Sequence, residues 1–309
     1  MASVRHLQHD DVRAVVERIV RQLGNDALVQ PLVNADLDRD ILYDTMLHAT
    51  NSTWVAVEDD RVVGHLFAAV LPDSANALAA WTGPDGASFD NDGVLDQLTH
   101  EASASWRRAG ATHHYSWTLC DDMRIDSWRN IGYEPLSVRG AMKLCERARR
   151  ELPPGMELRA ARSGDIDQVL ELDHVIDLAQ GESKARSRKD RHATRREILE
   201  LLDDPEVTHY VVDQGGRVLA QAITFPLPTR RGSFDATLHL SEVVVDPSAQ
   251  GQGVASAMID AVLDHARRDG FSHVEAQWRL ANEQANSFWP RYGLTPTYVR
   301  LSRALSLGE

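Results

Sequence analysis

Val243-Val244-Val245 is a β-branched run that stops at Asp246-Pro247, and Gln250-Gly251-Gln252-Gly253-Val254-Ala255-Ser256 follows at once. Met258, Ile259, Val262 and Leu263 then recur at helical spacing. A strand, a glycine-rich turn and a helix start in that order gather unpaired backbone N–H groups at the positive end of a helix dipole. Such a place suits a phosphate. Gly251 and Gly253 permit close approach by a ligand and unusual backbone angles. Small Ala255 and Ser256 leave the first helical turn uncrowded. The segment lacks the Lys-Ser/Thr ending of a P-loop and the GxGxxG of a dinucleotide site.

The elements that must position this loop are legible on both sides of it. Apolar patterning predicts a strand over 237–245, a helix over 253–269, a strand over 273–279, a helix over 283–292 and a last strand over 297–302. Before them come a strand at 158–161, a helix from Asp165, a helix over 188–202 and a hairpin, 209–212 with 217–226, around Gly215-Gly216. The first half has the same order. It runs through a strand at 4–7, helices near 12–19 and 36–48, a hairpin of 53–57 with 61–71, a strand at 78–82, a loop over 83–93, a helix over 94–108, a strand at 112–119, a short helix over 124–130 and a strand over 136–143. Residue matches mark a duplication. Val4-Arg5 corresponds to Leu158-Arg159, Arg61-Val62 to Arg217-Val218, Arg107-Arg108-Ala109-Gly110 to Arg267-Arg268-Asp269-Gly270, and Trp128 and Gly132 to Trp289 and Gly293. Glu146–Gly155, with Pro153-Pro154-Gly155 at its end, reads as the linker.

Residues 156–302 resemble the GCN5-related N-acetyltransferase (GNAT) superfamily. Gln250, Gly253 and Ala255 match its Gln/Arg-x-x-Gly-x-Gly/Ala loop, and Asn282, Ala285, Phe288 and Gly293 match its later Asn-x-x-Ala-x-x-aromatic segment. The resemblance implies an α/β (α+β) fold of tandem GNAT-like domains, each a mixed, mostly antiparallel central sheet with splayed strands flanked by helices. Domains of 1–145 and 156–309 follow, the second being the active one. The resemblance also implies acetyl-CoA as cofactor. Its pyrophosphate would rest on the backbone of Gln250, Gly251, Gln252, Gly253, Val254, Ala255 and Ser256, and its pantetheine would pair with Val243, Val244 and Val245 as an added strand does. Asn282 and Phe288 would contact the cofactor arm. The plan of one degenerate and one active half also resembles the mycothiol synthases.

The implied chemistry is attack of a neutral amine on a thioester, which needs a proton acceptor and a proton for the departing thiolate. Glu242 stands beside the expected thioester, as a base or as a carboxylate that orients a cationic substrate; His239 and His209 are alternative bases. Trp289 stands where the family usually has a tyrosine acid, and indole cannot serve. Tyr292, about one turn on, is the candidate replacement, with water or the amine's own proton as alternatives. In the first half Asp90, Asp92 and Leu95 align with Gln250, Gln252 and Ala255, and two carboxylates would repel a pyrophosphate. That half reads as a degenerate copy.

The formal charge of −13 is shared by both halves of the 309 residues and argues against a nucleic-acid partner. No apolar run is long enough to span a membrane, and the charged start of the chain lacks a signal-peptide core. A cytoplasmic enzyme acting on a small-molecule amine is expected, as a monomer or homodimer. A non-catalytic acyl-CoA-binding module and a protein N-acetyltransferase are the alternatives. Cys120 and Cys145 have no metal-site spacing, and no metal is expected.

Overall fold

Side-chain caps and positive-φ turn residues set several element boundaries along the chain, which a computed structural model describes over residues 2–73, 76–179, 188–228 and 232–305. The first half contains β1 (Ser3–His6), α1 (Val12–Val29), α2 (Arg39–His48), β2 (Thr53–Glu58), β3 (Arg61–Phe67), β4 (Ala69–Pro72), β5 (Leu78–Thr82), β6 (Ala87–Phe89), α3 (Asp92–Arg108), β7 (His113–Leu119), α4 (Asp122–Arg129) and β8 (Glu134–Lys143). The second contains β9 (Glu157–Ala160), α5 (Ile166–Ala179), α6 (Arg188–Asp203), β10 (Thr208–Gln214), β11 (Arg217–Pro226), β12 (Thr237–Val245), α7 (Val254–Arg268), β13 (His273–Arg279), α8 (Glu283–Tyr292) and β14 (Thr295–Ala304).

The duplication is written into the bonds. Arg5 grips Asp11 with two nitrogens at 2.5 and 3.0 Å, and Asp11 also accepts the Gln8 N–H at 2.9 Å. Arg159 grips Asp165 at 2.7 and 2.9 Å, and Asp165 accepts the Arg162 N–H at 2.8 Å. Paired charge-assisted bonds of this kind lock the entry to the first helix in each half. The hairpin β2–β3 turns on Asp59-Asp60 and β10–β11 on Gly215-Gly216, all four at positive φ, which suits the right-handed strand twist. Gly110 and Gly270 each follow a helix, α3 and α7, in the left-handed region.

Compactness divides the chain into two units that are not contiguous in sequence. One comprises Met1–Arg139, Arg231–Ser233 and Pro296–Glu309, and the other Gly140–Arg230 and Phe234–Thr295. This grouping differs from the expected 1–145 and 156–309, because the last strand of the chain goes with the first unit.

In the first unit β1, β2, β3 and β6 form one antiparallel set, while β4, β5, β7 and β14 form another. Within the latter, β5 runs parallel to β7 and β14 antiparallel to it, with Tyr298 opposite Leu119 and Ala304 opposite His113. The α1 stripe Val12, Val15, Val16, Ile19 and Leu23 packs with Leu42, Met46, Val55, Trp117 and Tyr298. In the second unit β9, β10, β11 and β12 are antiparallel and β13 joins β12 in parallel. Ile166, Val169 and Leu172 of α5, with Ile198 of α6, cover one face through Val211, Val218 and Val244. Helix α7 packs on β11 and β12 as well and buries Val254, Ala257, Met258, Ala261 and Val262. Each unit thus has mostly antiparallel strands with one parallel pair, β5 with β7 in the first and β12 with β13 in the second, flanked by helices, as expected.

Two segments differ from the sequence reading. The loop predicted over 83–93 contains β6, which is held by pairing with Gly64, His65 and Leu66, and α3 starts inside it at Asp92. The strand predicted over 61–71 is broken into β3 and β4 at Ala68.

Candidate active site

Strand β12 changes partners midway. From Thr237 to Leu240 it pairs in parallel with His273–Ala276 of β13, and this pairing ends at Leu240. On its other edge, pairing with β11 shifts between Glu242, opposite Ile223, and Leu240, opposite Thr224. Ser241 is the extra residue of a bulge, which bends a strand and re-aims its side chains. Beyond it, Glu242, Val243, Val244 and Val245 keep β11 as partner but have left β13, so their other backbone edge faces a split in the sheet. A polar backbone edge in that position is a template for an extended ligand.

Glu242 is half-buried and shares a face with Val244, two residues on, which lies in the α5–α6 core. Ile223 is opposite Glu242, and Gln221 is opposite Val244. Gln221 donates to Asp173 of α5 at 2.5 Å, and its side-chain oxygen meets His209 Nε2 at 3.1 Å. His209 is buried, and desolvation lowers its pKa, so it is neutral near pH 7 and its Nε2–H donates to Gln221. His209 is therefore tied into a buried polar chain. His239 lies before the bulge, on the stretch still paired with β13.

The loop below the split is braced by its own side chains. Asp246 accepts the Ser248 N–H at 2.8 Å and the Ser248 hydroxyl at 2.5 Å, and Arg217 approaches Asp246 at 3.2 Å. Gln250 Nε2 donates to the Val245 carbonyl at 3.1 Å, and Gln252 Nε2 to the Ser248 carbonyl at 3.0 Å. The two glutamines hold the backbone in shape. Gly251 and Gly253 sit at φ 75° and 81°, and a methyl group built on either would meet nothing within 4 Å. The turn requires glycine for its angles, and the space above it is open. Gly253 is the N-cap of α7 and has no side chain to bond the first turn; the first helical bond runs from the Ala257 N–H to the Gly253 carbonyl. The N–H groups of Val254, Ala255 and Ser256 lie in that first turn without a helical acceptor. Helices α2, α3, α4 and α8 are each capped by a side chain, from Asp38, Asn91, Asp121 and Asn282. The α7 terminus is open to an anion where those four are closed.

Asn282 and Phe288 are carried by α8, which packs on β13. The Asn282 side-chain oxygen accepts the Ala285 N–H at 2.9 Å, so its first role is to start the helix. Phe288 is half-buried and stacks on Tyr292 at 5.5 Å between ring centroids. Trp289 is buried, 6.3 Å from the Trp278 ring.

Tyr292 does not fit the role of thiolate acid expected for it. Its hydroxyl donates a short hydrogen bond to Asp260 in the middle of α7. Burial, and then the Asp260 carboxylate, raises its pKa well above the ordinary 10. A thiol ionises near 8.5, so proton transfer from such a phenol to a thiolate runs uphill. Arg147 stacks 4.7 Å over the ring, and the Arg150 N–H donates to Asp260 at 3.0 Å. Tyr292 ties the segment after β8 to α7 and α8. Sequence spacing gave its position on the helix but not its partner on α7. Asp260 and the Ser241 bulge were missed for the same reason. Asp246-Pro-Ser, by contrast, carried a readable turn signature.

The first unit repeats this geometry with changes at each critical point. β5 pairs with β7 up to Thr82 opposite Ser116, and β6 pairs with β3 from Ala87 opposite Leu66 to Phe89 opposite Gly64. Two short strands joined by Gly83–Gly86 replace the single bulged β12. Counting along the shared register puts Gly86 where the second unit has Glu242. Helix α3 begins at Asp92, two residues earlier relative to its C-terminus than α7 does, so Asp92 and Gly93 lie inside the helix rather than in a loop before it. Asn91 Oδ1 caps it by accepting the Val94 N–H at 3.1 Å.

A strand pair that opens onto an uncapped helix terminus, with a carboxylate at the opening, can take an extended ligand that carries a phosphate. Known proteins give the family. The acetyltransferase (GNAT) family model matches residues 172–294. A mycothiol acetyltransferase of Pseudarthrobacter chlorophenolicus is 30% identical over 237 residues, covering 74% of this chain and 70% of that protein. An aminoalkylphosphonate N-acetyltransferase of Salmonella typhimurium is 25% identical over 159 residues, covering 52% of this chain and 97% of that protein. A solved tandem GNAT protein from the clavulanic acid biosynthesis pathway matches in fold with a TM-score of 0.56, at 15% identity, over 100% of both chains. The chain belongs to the acetyltransferase (GNAT) family and has its tandem form. It is an N-acetyltransferase, of a family that uses acetyl-CoA and amine-type acceptors. Among the described residues no helix is long and apolar enough to cross a membrane.

Proposed function

We propose that the second unit transfers an acetyl group from acetyl-CoA to a primary amine of a small-molecule acceptor by direct attack. The observation that carries this is the split of β12 from β13 at the Ser241 bulge, above the open N-terminus of α7. The N–H groups from Gly251 to Ser256 hold the pyrophosphate, and the free edge of Val243–Val245 pairs with the pantetheine amides. Asn282 and Phe288 flank the arm. When bound, acetyl-CoA supplies the activated acyl carbon and the leaving thiolate. Glu242 accepts the amine proton, directly or through one water, as the nitrogen–carbon bond forms and the carbon–sulfur bond breaks. The thiolate is protonated by water or by the proton that leaves the amine, since Tyr292 is engaged with Asp260. The names of the two relatives, which refer to mycothiol and to aminoalkylphosphonates, support a small acceptor.

Thiol release from acetyl-CoA across a panel of primary amines tests the reading. Glu242→Gln is expected to lower kcat by roughly 10²–10⁴ while the rise in melting temperature caused by acetyl-CoA persists. Equal turnover by wild type and variant at every pH would remove Glu242 from the base role.

A further inference from the structure

The first unit contains a cleft of its own, of about 460 Å³, between α1, the β6 strand with its flanking loops, the end of β7, and α4. That volume is ordinary for a metabolite site. One wall is aromatic, formed by Phe89, Trp117 and Trp128. Three guanidinium groups line the rest: Arg18, Arg21 and Arg124.

These three differ in how far they are already used. Arg18 donates to the Ser88 hydroxyl at 2.9 Å, to the Val62 and Val63 carbonyls at 3.3 and 3.0 Å, and to Asp90 at 2.8 Å. It is a fixed part of the wall. Arg124 meets the fully buried Asp26 at 2.6 Å through one nitrogen. Arg21 is exposed at the rim and has no ion-pair partner among the described residues. Against three positive charges stand Asp90 in the lining and Asp26 behind it, so one positive charge is left over. Neutral donors from Gln22, Asn25, Thr118 and Ser127 complete the surface.

The cleft lacks the features that the second unit offers a pyrophosphate. The terminus of α3 is closed by Asn91, and Asp90 and Asp92 flank it with negative charge. We propose that this cleft binds a small organic acid: a single carboxylate held by Arg21 and the outer nitrogens of Arg124, with an aromatic or apolar body against Phe89, Trp117 and Trp128. A single carboxylate matches the one uncompensated charge, and the flat apolar wall gives the body a surface to cover.

Calorimetric titration of the full chain with 3-phenylpropionate, 3-phenylpropanamide and 3-phenylpropylamine tests this, with and without saturating coenzyme A. The acid is expected to bind at one site per chain and to saturate, with the amide at least about tenfold weaker, the cost of a charged hydrogen bond, and the amine not bound. Arg21→Ala, at an exposed position, is expected to weaken the acid by about tenfold. Ser127→Trp fills the cleft and is expected to abolish binding while the circular dichroism spectrum is unchanged. Equal binding of acid and amide, an unchanged affinity in Arg21→Ala, or no saturation in the millimolar range would each overturn the proposal. Displacement of the acid by coenzyme A would also overturn it, by marking the cleft as a second coenzyme site. The cleft lies wholly in the first unit, so these outcomes are independent of Glu242 and of acetyl transfer.

Discussion

Tyr292→Phe removes one hydroxyl and leaves the ring. Phe288 keeps its stacking partner, and the Arg147 guanidinium keeps an aromatic face at 4.7 Å. The loss falls on Asp260, 2% exposed, which keeps the Arg150 N–H at 3.0 Å on one oxygen and loses its donor on the other. A buried acceptor left without its donor costs about 1–3 kcal/mol. For a unit of this size each kcal/mol shifts the melting temperature by about 2–4 °C, so a fall of roughly 2–12 °C is expected. Catalysis should behave differently. The Tyr292 proton is held by Asp260 and its pKa is raised, so kcat should change by less than about threefold, small beside the 10²–10⁴ of a lost general acid. Thermal unfolding by circular dichroism and thiol release from acetyl-CoA read the two effects separately. A kcat reduced a hundredfold with an unmoved melting temperature would show that Tyr292 is the acid after all and that its bond to Asp260 is incidental.

Two further expectations concern pH and the loop. His65 is fully buried, with its Nε2–H donated to the Asp85 carbonyl at 3.2 Å and its Nδ1 accepting from Ser88 at 2.8 Å, and burial lowers its pKa to about 4. The unfolded chain takes up that proton first, near 6.5, so the stability from His65 is complete above pH 6.5 and is lost as the pH falls towards about 4; the whole drop is about 3 kcal/mol. Urea midpoints measured from pH 7.5 to 4.5 should show this slope, and His65→Gln should flatten it; an unchanged slope would dismiss His65 as its source. Gly253→Val forces a branched side chain into φ 81°, which costs about 1–2 kcal/mol in the free protein. It should also abolish the rise in melting temperature given by coenzyme A, and a rise as large as that of wild type would mean that the loop does not hold the coenzyme.

The second half was largely legible because its signals are local. β11, β12, β13 and α8 lie on the residues that patterning assigned to them, and Gln250–Ser256 announces its turn by composition alone. The Ser241 bulge was not legible. It exists because Leu240 and Glu242 take their partners from β11 in shifted register, and nothing in Leu-Ser-Glu states that register. β6 was missed because Ala-Ser-Phe among glycines and aspartates has no periodicity to read, and its strand form comes from pairing with Gly64–Leu66. Composition put Asp92 and Gly93 in a loop, and matching Asp92 with Gln252 at a constant offset agreed with that. Asn91 caps α3 two residues sooner than that offset implies, and the cap, not the repeat, fixes where the helix starts.

The last strand has a consequence for how the first unit can be made. β14 pairs with β7 along Tyr298–Ala304, and Tyr298 belongs to the same buried cluster as Val12, Ile19 and Trp117. On a ribosome, the residues up to Arg139 emerge long before that strand is synthesised. Until it arrives, β7 has an open edge and the cluster lacks a large aromatic ring. The first half to be born is thus finished only later, and the quality of its fold reports on whether translation has passed β14.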